Sequence, residues 1–154
     1  MRRWRRCVGN PGTPLTIGPV RSAVDTSVLL DVFSDSPKFV EASRALLLRA
    51  LSDGSLVACD VVWAETRAHF PSPTAFEKAV STLGILFDPC DAETASLAGE
   101  AWRTYRQDGG ARTALVPDFL VAAHASVRAD RLLTRDRGFT RRYFRRLSVL
   151  DPSR

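Results

Sequence analysis

Lysine is almost absent from this chain of 154 residues, with Lys38 and Lys78 the only two, so its positive charge is nearly all arginine. That shortage weighs against an aspartate-nucleophile phosphatase, which wants a downstream lysine. Such an enzyme also wants a second Asp two residues after the first, and beyond Asp25 that position is Ser27. Methionine is scarcer still: Met1 is the only one, which removes any internal methionine as an alternative start. Three cysteines, Cys7, Cys59 and Cys90, are odd in number and widely spaced. They suit a reducing cytoplasm, with Cys59 and Cys90 as small core residues, and form neither a disulfide frame nor a zinc motif. No apolar run approaches the roughly 20 residues that span a bilayer, so no membrane association is expected. The basic head MRRWRR is broken by Gly and Pro downstream, which makes it a poor secretory or twin-arginine signal.

The net charge of +5 is unevenly placed. Residues 1–21 hold five arginines and no acid, and without them 17 basic side chains face 17 acidic ones. Distribution is therefore more informative than the sum. Residues 1–21 lack periodicity and read as a flexible basic extension. A valine codon can initiate in bacteria and Val20 lies just before the first apolar segment, so the expected start is near Val20. A peptide covering residues 2–19 in the native protein rules that out.

From residue 22 to 154 the pattern is that of one α/β domain, with short apolar runs alternating with amphipathic ones. Strands are expected at Ser22 to Asp25, Leu56 to Cys59, Ile85 to Phe87, Arg131 to Thr134 and Ser148 to Leu150. Between them, Ser36–Pro37, Asp60, Ser72–Pro73 and Asp91 read as helix starts. The segment from Pro117 is apolar almost all round and hence central. This alternation implies a central, mainly parallel sheet of four to five strands covered by helices on both faces.

Four acids stand beside hydrophobic segments: Asp25 in SAVDTSVLLDVF, Glu65 in VVWAETRAHF, Asp118 in LVPDFLVAAHA and Asp136 in RLLTRDRGF. An acid at the edge of a core is costly unless a cation or hydrogen-bond donor compensates it. Each lies at the same end of a βα unit, where ligands of open parallel sheets bind. Taken singly, Asp25 reads as readily as a helix cap and Asp118 as a partner of the helix dipole. Taken together, they read as an acidic pocket for hard divalent cations. Oxygen-only donors suit Mg²⁺ or Mn²⁺.

The same segments carry a family resemblance. AVDTSVLLDVF, the Glu65 helix, PDFLVAAHA and LLTRDRGFTRRYF, spanning residues 23 to 144, resemble the PIN-domain ribonucleases, in particular the VapC toxins of bacterial toxin–antitoxin pairs. The resemblance implies a PIN-like α/β/α sandwich over residues 22–154. It places a catalytic, metal-binding quartet on Asp25, Glu65, Asp118 and Asp136, with hydroxyls from Thr26, Ser27 and Thr134 beside it. Asp25, Asp118 and Asp136 are the principal ligands, and Glu65 completes the site through water or positions the nucleophile. It implies Mg²⁺- or Mn²⁺-dependent endonucleolytic cleavage of structured RNA, with tRNA the favoured class. It further implies a homodimer assembled with a VapB-type antitoxin into a heterotetramer or larger, the antitoxin covering the pocket.

Arg135, Arg137, Arg141 and Arg142 crowd the fourth acid and are expected to meet RNA phosphates, although such a run also describes a solvated helix. Thr140 departs from the family's aromatic after GF, which bears on a surface contact. Asp31 matches a second family acid but is expected to support the fold. His69 shares the face of Glu65 and is expected to be a hydrogen-bonded structural histidine. His124 faces away from Asp118, and two such histidines argue against metal-free RNA cleavage. The competing readings are an RNA- or antitoxin-binding PIN-like module without catalysis and, more remotely, the phosphatase.

Overall fold

A computed structural model of the chain describes residues 19–34, 36–110, 116–135 and 138–153. Most of the basic extension, including Trp4 and Cys7, lies outside the described residues.

Five strands form one all-parallel sheet in the order β3-β2-β1-β4-β5. They are β1 (Val20–Val24), β2 (Gly54–Ala58), β3 (Ile85–Phe87), β4 (Arg131–Leu133) and β5 (Ser148–Leu150). Helices α1 (Thr26–Phe33) and α2 (Val40–Asp53) link β1 to β2, and α3 (Asp60–Arg67) and α4 (Pro73–Thr82) link β2 to β3. Then α5 (Ala92–Gln107) and α6 (Val116–Arg128) precede β4, and α7 (Phe139–Tyr143) precedes β5. This is the α/β/α arrangement expected. One reversal of chain order follows from it, at β1, which has β2 on one side and β4 on the other.

The sheet core is aliphatic, with Val24, Leu29, Leu47, Leu56, Val57, Val62, Leu132 and Leu133 all buried. Each such side chain contributes roughly 1.5–3 kcal/mol by leaving water. A second cluster lies between α5 and α6, where Ala98 and Ala101 face Phe119, Ala122 and Ala123. Alanines on both helices permit close approach, and the ring of Phe119 fills the remaining gap against Tyr105, centroid to centroid 5.5 Å. At Gly54 a side chain is excluded by geometry. An added Cβ would lie 2.9 Å from the backbone carbonyl carbon of Val20, its register partner on β1.

Two expected caps form. The hydroxyl of Ser72 accepts from the Ala75 N–H at 3.2 Å, and the carboxylate of Asp91 accepts from the Thr94 N–H at 2.9 Å. Two others differ. Residues 37–39 make a turn and α2 begins only at Val40, whose N–H bonds the Ser36 carbonyl. Asp60 is the first residue of α3 rather than its cap, and its carboxylate accepts the Cys90 N–H at 3.1 Å instead. The first strand starts at Val20 and stops before Asp25, which leaves that acid on the turn into α1. No helix among the described residues is long and apolar enough to cross a membrane.

Candidate metal centre

Asp25 owes its position to the middle of the sheet. Its N–H bonds the Leu133 carbonyl of β4 at 2.9 Å, and its own carbonyl accepts from Val28 and Leu29 as α1 begins. The side chain makes no capping bond to α1. It points instead to two hydroxyls: Ser27 Oγ and Thr134 Oγ1 each donate to Oδ2 at 2.7 Å. Both bonds fall on one oxygen, which fixes the carboxylate plane and leaves Oδ1 as the oxygen available to a cation. Ser27 also accepts the Arg135 N–H at 3.3 Å, so one hydroxyl ties the turn after β1 to the chain leaving β4.

Asp118 stands in the first turn of α6. Together with Asp25 it lines a small cavity of about 20 Å³, whose other walls are Val121, Ala122, Leu132, Thr134 and Thr140. Two carboxylates and two hydroxyl-bearing residues thus share a space whose other walls, among the described residues, are apolar. Carboxylates that share a cavity repel, and a divalent cation relieves that repulsion. The volume admits about one water-sized body. Glu65 is held on the neighbouring side of the same turn, where Thr26 Oγ1 donates to its Oε2 at 2.6 Å. Its exposed carboxylate is therefore oriented rather than free-swinging.

Three of the four acids are thereby accounted for: Asp25 and Asp118 share the cavity, and Glu65 is tied to Thr26, the residue after Asp25. Asp136 and Arg137 lie outside the described residues. The donor set is all oxygen, which fits a hard ion such as Mg²⁺ or Mn²⁺ and not a thiophilic one.

The arginines divide. Arg135 is engaged with the protein: its Nε lies 3.1 Å from Asp31 Oδ2, and its guanidinium stacks 4.5 Å above the centre of the Phe39 ring. Arg141 is exposed, and Arg142 is largely exposed with a 3.3 Å contact to Asp108. Asp31 itself is buried and accepts from Ser43 Oγ at 2.7 Å, joining α1 to α2.

Several residues were placed differently by sequence reasoning. Thr140 is not on the surface: it is 3% exposed and forms a wall of the acidic cavity. A small β-branched residue leaves room there that an aromatic would fill. His69 is exposed, whereas His124 is the buried histidine, with Nε2 2.9 Å from Asp88 Oδ2. Asp88 had no signal beyond its place between Phe87 and Pro89, yet it collects Arg21 at 2.8 Å, Arg128 at 3.0 Å and His124. Burial alone would push its carboxyl up. Donors from Arg128, Arg21 and His124 outweigh burial and hold it at about 2. Among the tryptophans, Trp63 packs edge-on against Phe76 at 5.0 Å and Phe87 at 5.2 Å, and Trp102 lies against the α5–α6 cluster.

Comparison with known proteins agrees with this architecture. Among curated proteins none matches the sequence. Solved structures do match in fold. VapBC2 from Rickettsia felis, bound to a DNA fragment from its promoter, aligns over 85% of this chain and 98% of its own, with 14% identity and a TM-score of 0.67. FitAcB from Neisseria gonorrhoeae aligns over 86% and 98%, with 20% identity and a TM-score of 0.64. VapBC-5 from Mycobacterium tuberculosis, a member of the VapBC family of toxin–antitoxin systems, aligns over 86% and 98%, with 20% identity and a TM-score of 0.53. The family model for the PIN domain matches residues 23–145, from the end of β1 through α7, a span that holds all four acids. The chain belongs to the PIN domain family.

Proposed function

We propose that this protein is a divalent-metal-dependent endoribonuclease, the toxin of a VapBC-type toxin–antitoxin pair, that cleaves structured RNA of the tRNA class. The observation that carries the reading is the cavity whose lining brings together Asp25 and Asp118, two carboxylates remote in sequence. Family membership and the fold shared with VapBC structures support it.

Asp25 and Asp118 would hold the ion, with Asp136 as a third ligand and Glu65 as a fourth, direct or through water. When bound, Mg²⁺ or Mn²⁺ supplies an activated water and neutralises charge at the scissile phosphate. The chain's own residues supply position. Ser27 and Thr134 hold the Asp25 carboxylate in one plane, the kind of support that sets a ligand's geometry and basicity. Glu65, whose carboxylate accepts from Thr26, would help to position the attacking water. Arg141 and Arg142, exposed on the segment that follows β4, would meet RNA phosphates. Arg135 anchors the start of that segment through Asp31 and Phe39.

The partner follows from the charge of the site. An antitoxin arginine entering the acidic cavity replaces the cation with a guanidinium that pairs with carboxylates. The expected assembly is a homodimer combined with a VapB-type antitoxin into a heterotetramer or larger, in the cytoplasm. Sequencing RNA ends after induced expression tests the substrate. New ends clustered in one structured RNA class, absent with Asp25→Asn, are expected. Identical end profiles from both chains contradict the reading.

A further inference from the structure

The two cysteines in the folded part were expected to be separate small core residues. The structure brings them together. Cys59 follows β2 and caps α3 with its backbone, and Cys90 lies between β3 and α5. The two sulfurs and a carboxylate oxygen of Asp60 all lie within 4.8 Å of one another. Cys59 is 1% exposed, while Asp60 and Cys90 are partly exposed, so the cluster is buried on one side and open on the other.

Three features set this group apart from two thiols that merely pack. The Asp60 carboxylate accepts the Cys90 N–H, which pins the incoming loop against the start of α3. Burial pushes the Cys59 thiol up, and backbone N–H groups of Val62 and Val61 at the first turn of α3 offset only part of that rise. Burial, the Asp60 carboxylate and the facing Cys59 thiol together push the Cys90 thiol up. A protonated Cys90 is a poor nucleophile, which disfavours a disulfide switch. A dication reverses that balance, because its charge stabilises both thiolates against burial and against each other.

We infer that Cys59, Asp60 and Cys90 form a second metal site, separate from the acidic cavity, for a thiophilic divalent ion of the zinc class. Two thiolates and one carboxylate are a soft donor set of the kind zinc selects and magnesium does not. Tetrahedral zinc, with bonds of about 2.3 Å to sulfur and about 2.1 Å to oxygen, sets its donors a little under about 4 Å apart. Closing from 4.8 Å therefore takes about 1 Å of movement. Binding releases the thiol protons to solvent. Three protein donors leave the fourth position to water or to an external ligand. The sequence offers no short Cys-x-x-Cys spacing, because β2 and β3 must first pair side by side before the donors meet.

The test is cobalt titration of the full chain carrying Cys7→Ser, under reducing conditions. Thiolate-bound Co²⁺ gives a near-ultraviolet charge-transfer band, and a carboxylate site gives none. The expected result is a band that saturates at one cobalt per chain, is displaced by Zn²⁺ and is unchanged by Asp25→Asn or Asp118→Asn. That last comparison separates this site from the nuclease reading, which stands or falls on other residues. Cys90→Ser, at a partly exposed position, is expected to remove at least half of the band and weaken Co²⁺ binding by about 10- to 100-fold. Asp60→Asn, which retains both thiols, is expected to weaken binding over the same range with the band intact. Absence of the band in the folded chain contradicts the site. So does a band untouched by Cys90→Ser, or a chain lighter by two hydrogens that takes up no metal.

Discussion

Asp25→Asn is expected to lower metal-dependent RNA cleavage by more than about 100-fold. Loss of a residue that only orients a metal ligand typically costs about 10- to 100-fold, and a ligand should exceed that. Asparagine keeps the size and shape of the side chain but removes the charge and one acceptor oxygen. The hydroxyls of Ser27 and Thr134, which both donate to Oδ2, then face an amide. The fold should survive, because α1 takes no side-chain cap from Asp25 and its backbone bonds to Leu133, Val28 and Leu29 remain. Unchanged far-ultraviolet circular dichroism checks this. Asp118→Asn should behave alike, since the two carboxylates share one cavity. Wild-type activity should vanish in EDTA and return with Mg²⁺ or Mn²⁺. Equal cleavage by wild type and both variants would leave a binding module as the better account.

The largest stability effect is expected at a residue far from any sequence motif. Asp88→Ala removes the one carboxylate shared by Arg21, Arg128 and His124. Breaking a buried pair by deleting one partner costs about 3–5 kcal/mol. The two arginine side chains are 39% and 41% exposed and recover hydration, so the lower end applies, about 3 kcal/mol or roughly a 10 °C fall in Tm. His124, 1% exposed, has no such recourse. The pH dependence has a definite sign. A carboxyl held at about 2 in the folded state, against 3.8 ordinarily, favours folding at neutral pH. That contribution is complete above about pH 4 and fades as pH falls through about 2, and it amounts to about 2 kcal/mol. Urea melts of both chains should therefore differ by a constant amount from pH 7 to pH 5 and converge in part toward pH 3. A variant within about 0.5 kcal/mol of wild type at pH 7 would place Asp88 among ordinary surface acids.

These two residues show what was legible in the chain. Asp25 could be found because its surroundings are local: an apolar strand on one side, an apolar helix on the other, and hydroxyls at the next two positions. The same holds for Ser72 and Asp91, whose capping bonds reach only three residues along. Asp88 could not be found, because its meaning comes from Arg21 on β1 and from His124 and Arg128 on α6, brought together only by the tertiary fold. Asp60 reads as a helix cap for the same reason that it is not one: the competing donor, the Cys90 N–H, is distant in sequence. Thr140 was judged against a family pattern that places an aromatic at the surface, whereas α7 turns the residue into the cavity wall. Arg135 sits in an arginine-rich run that promises phosphate contacts. Its partners, Asp31 and Phe39, belong to the first crossover and cannot be inferred from that run.

The central claim concerns a cation between Asp25 and Asp118, and crystals grown with Mn²⁺ test it by anomalous scattering. A manganese peak ligated by oxygens of both residues, lost in Asp118→Asn crystals, is the result predicted. Carboxylates turned away from each other, with no anomalous peak in the cavity lined by Thr134 and Thr140, would contradict it.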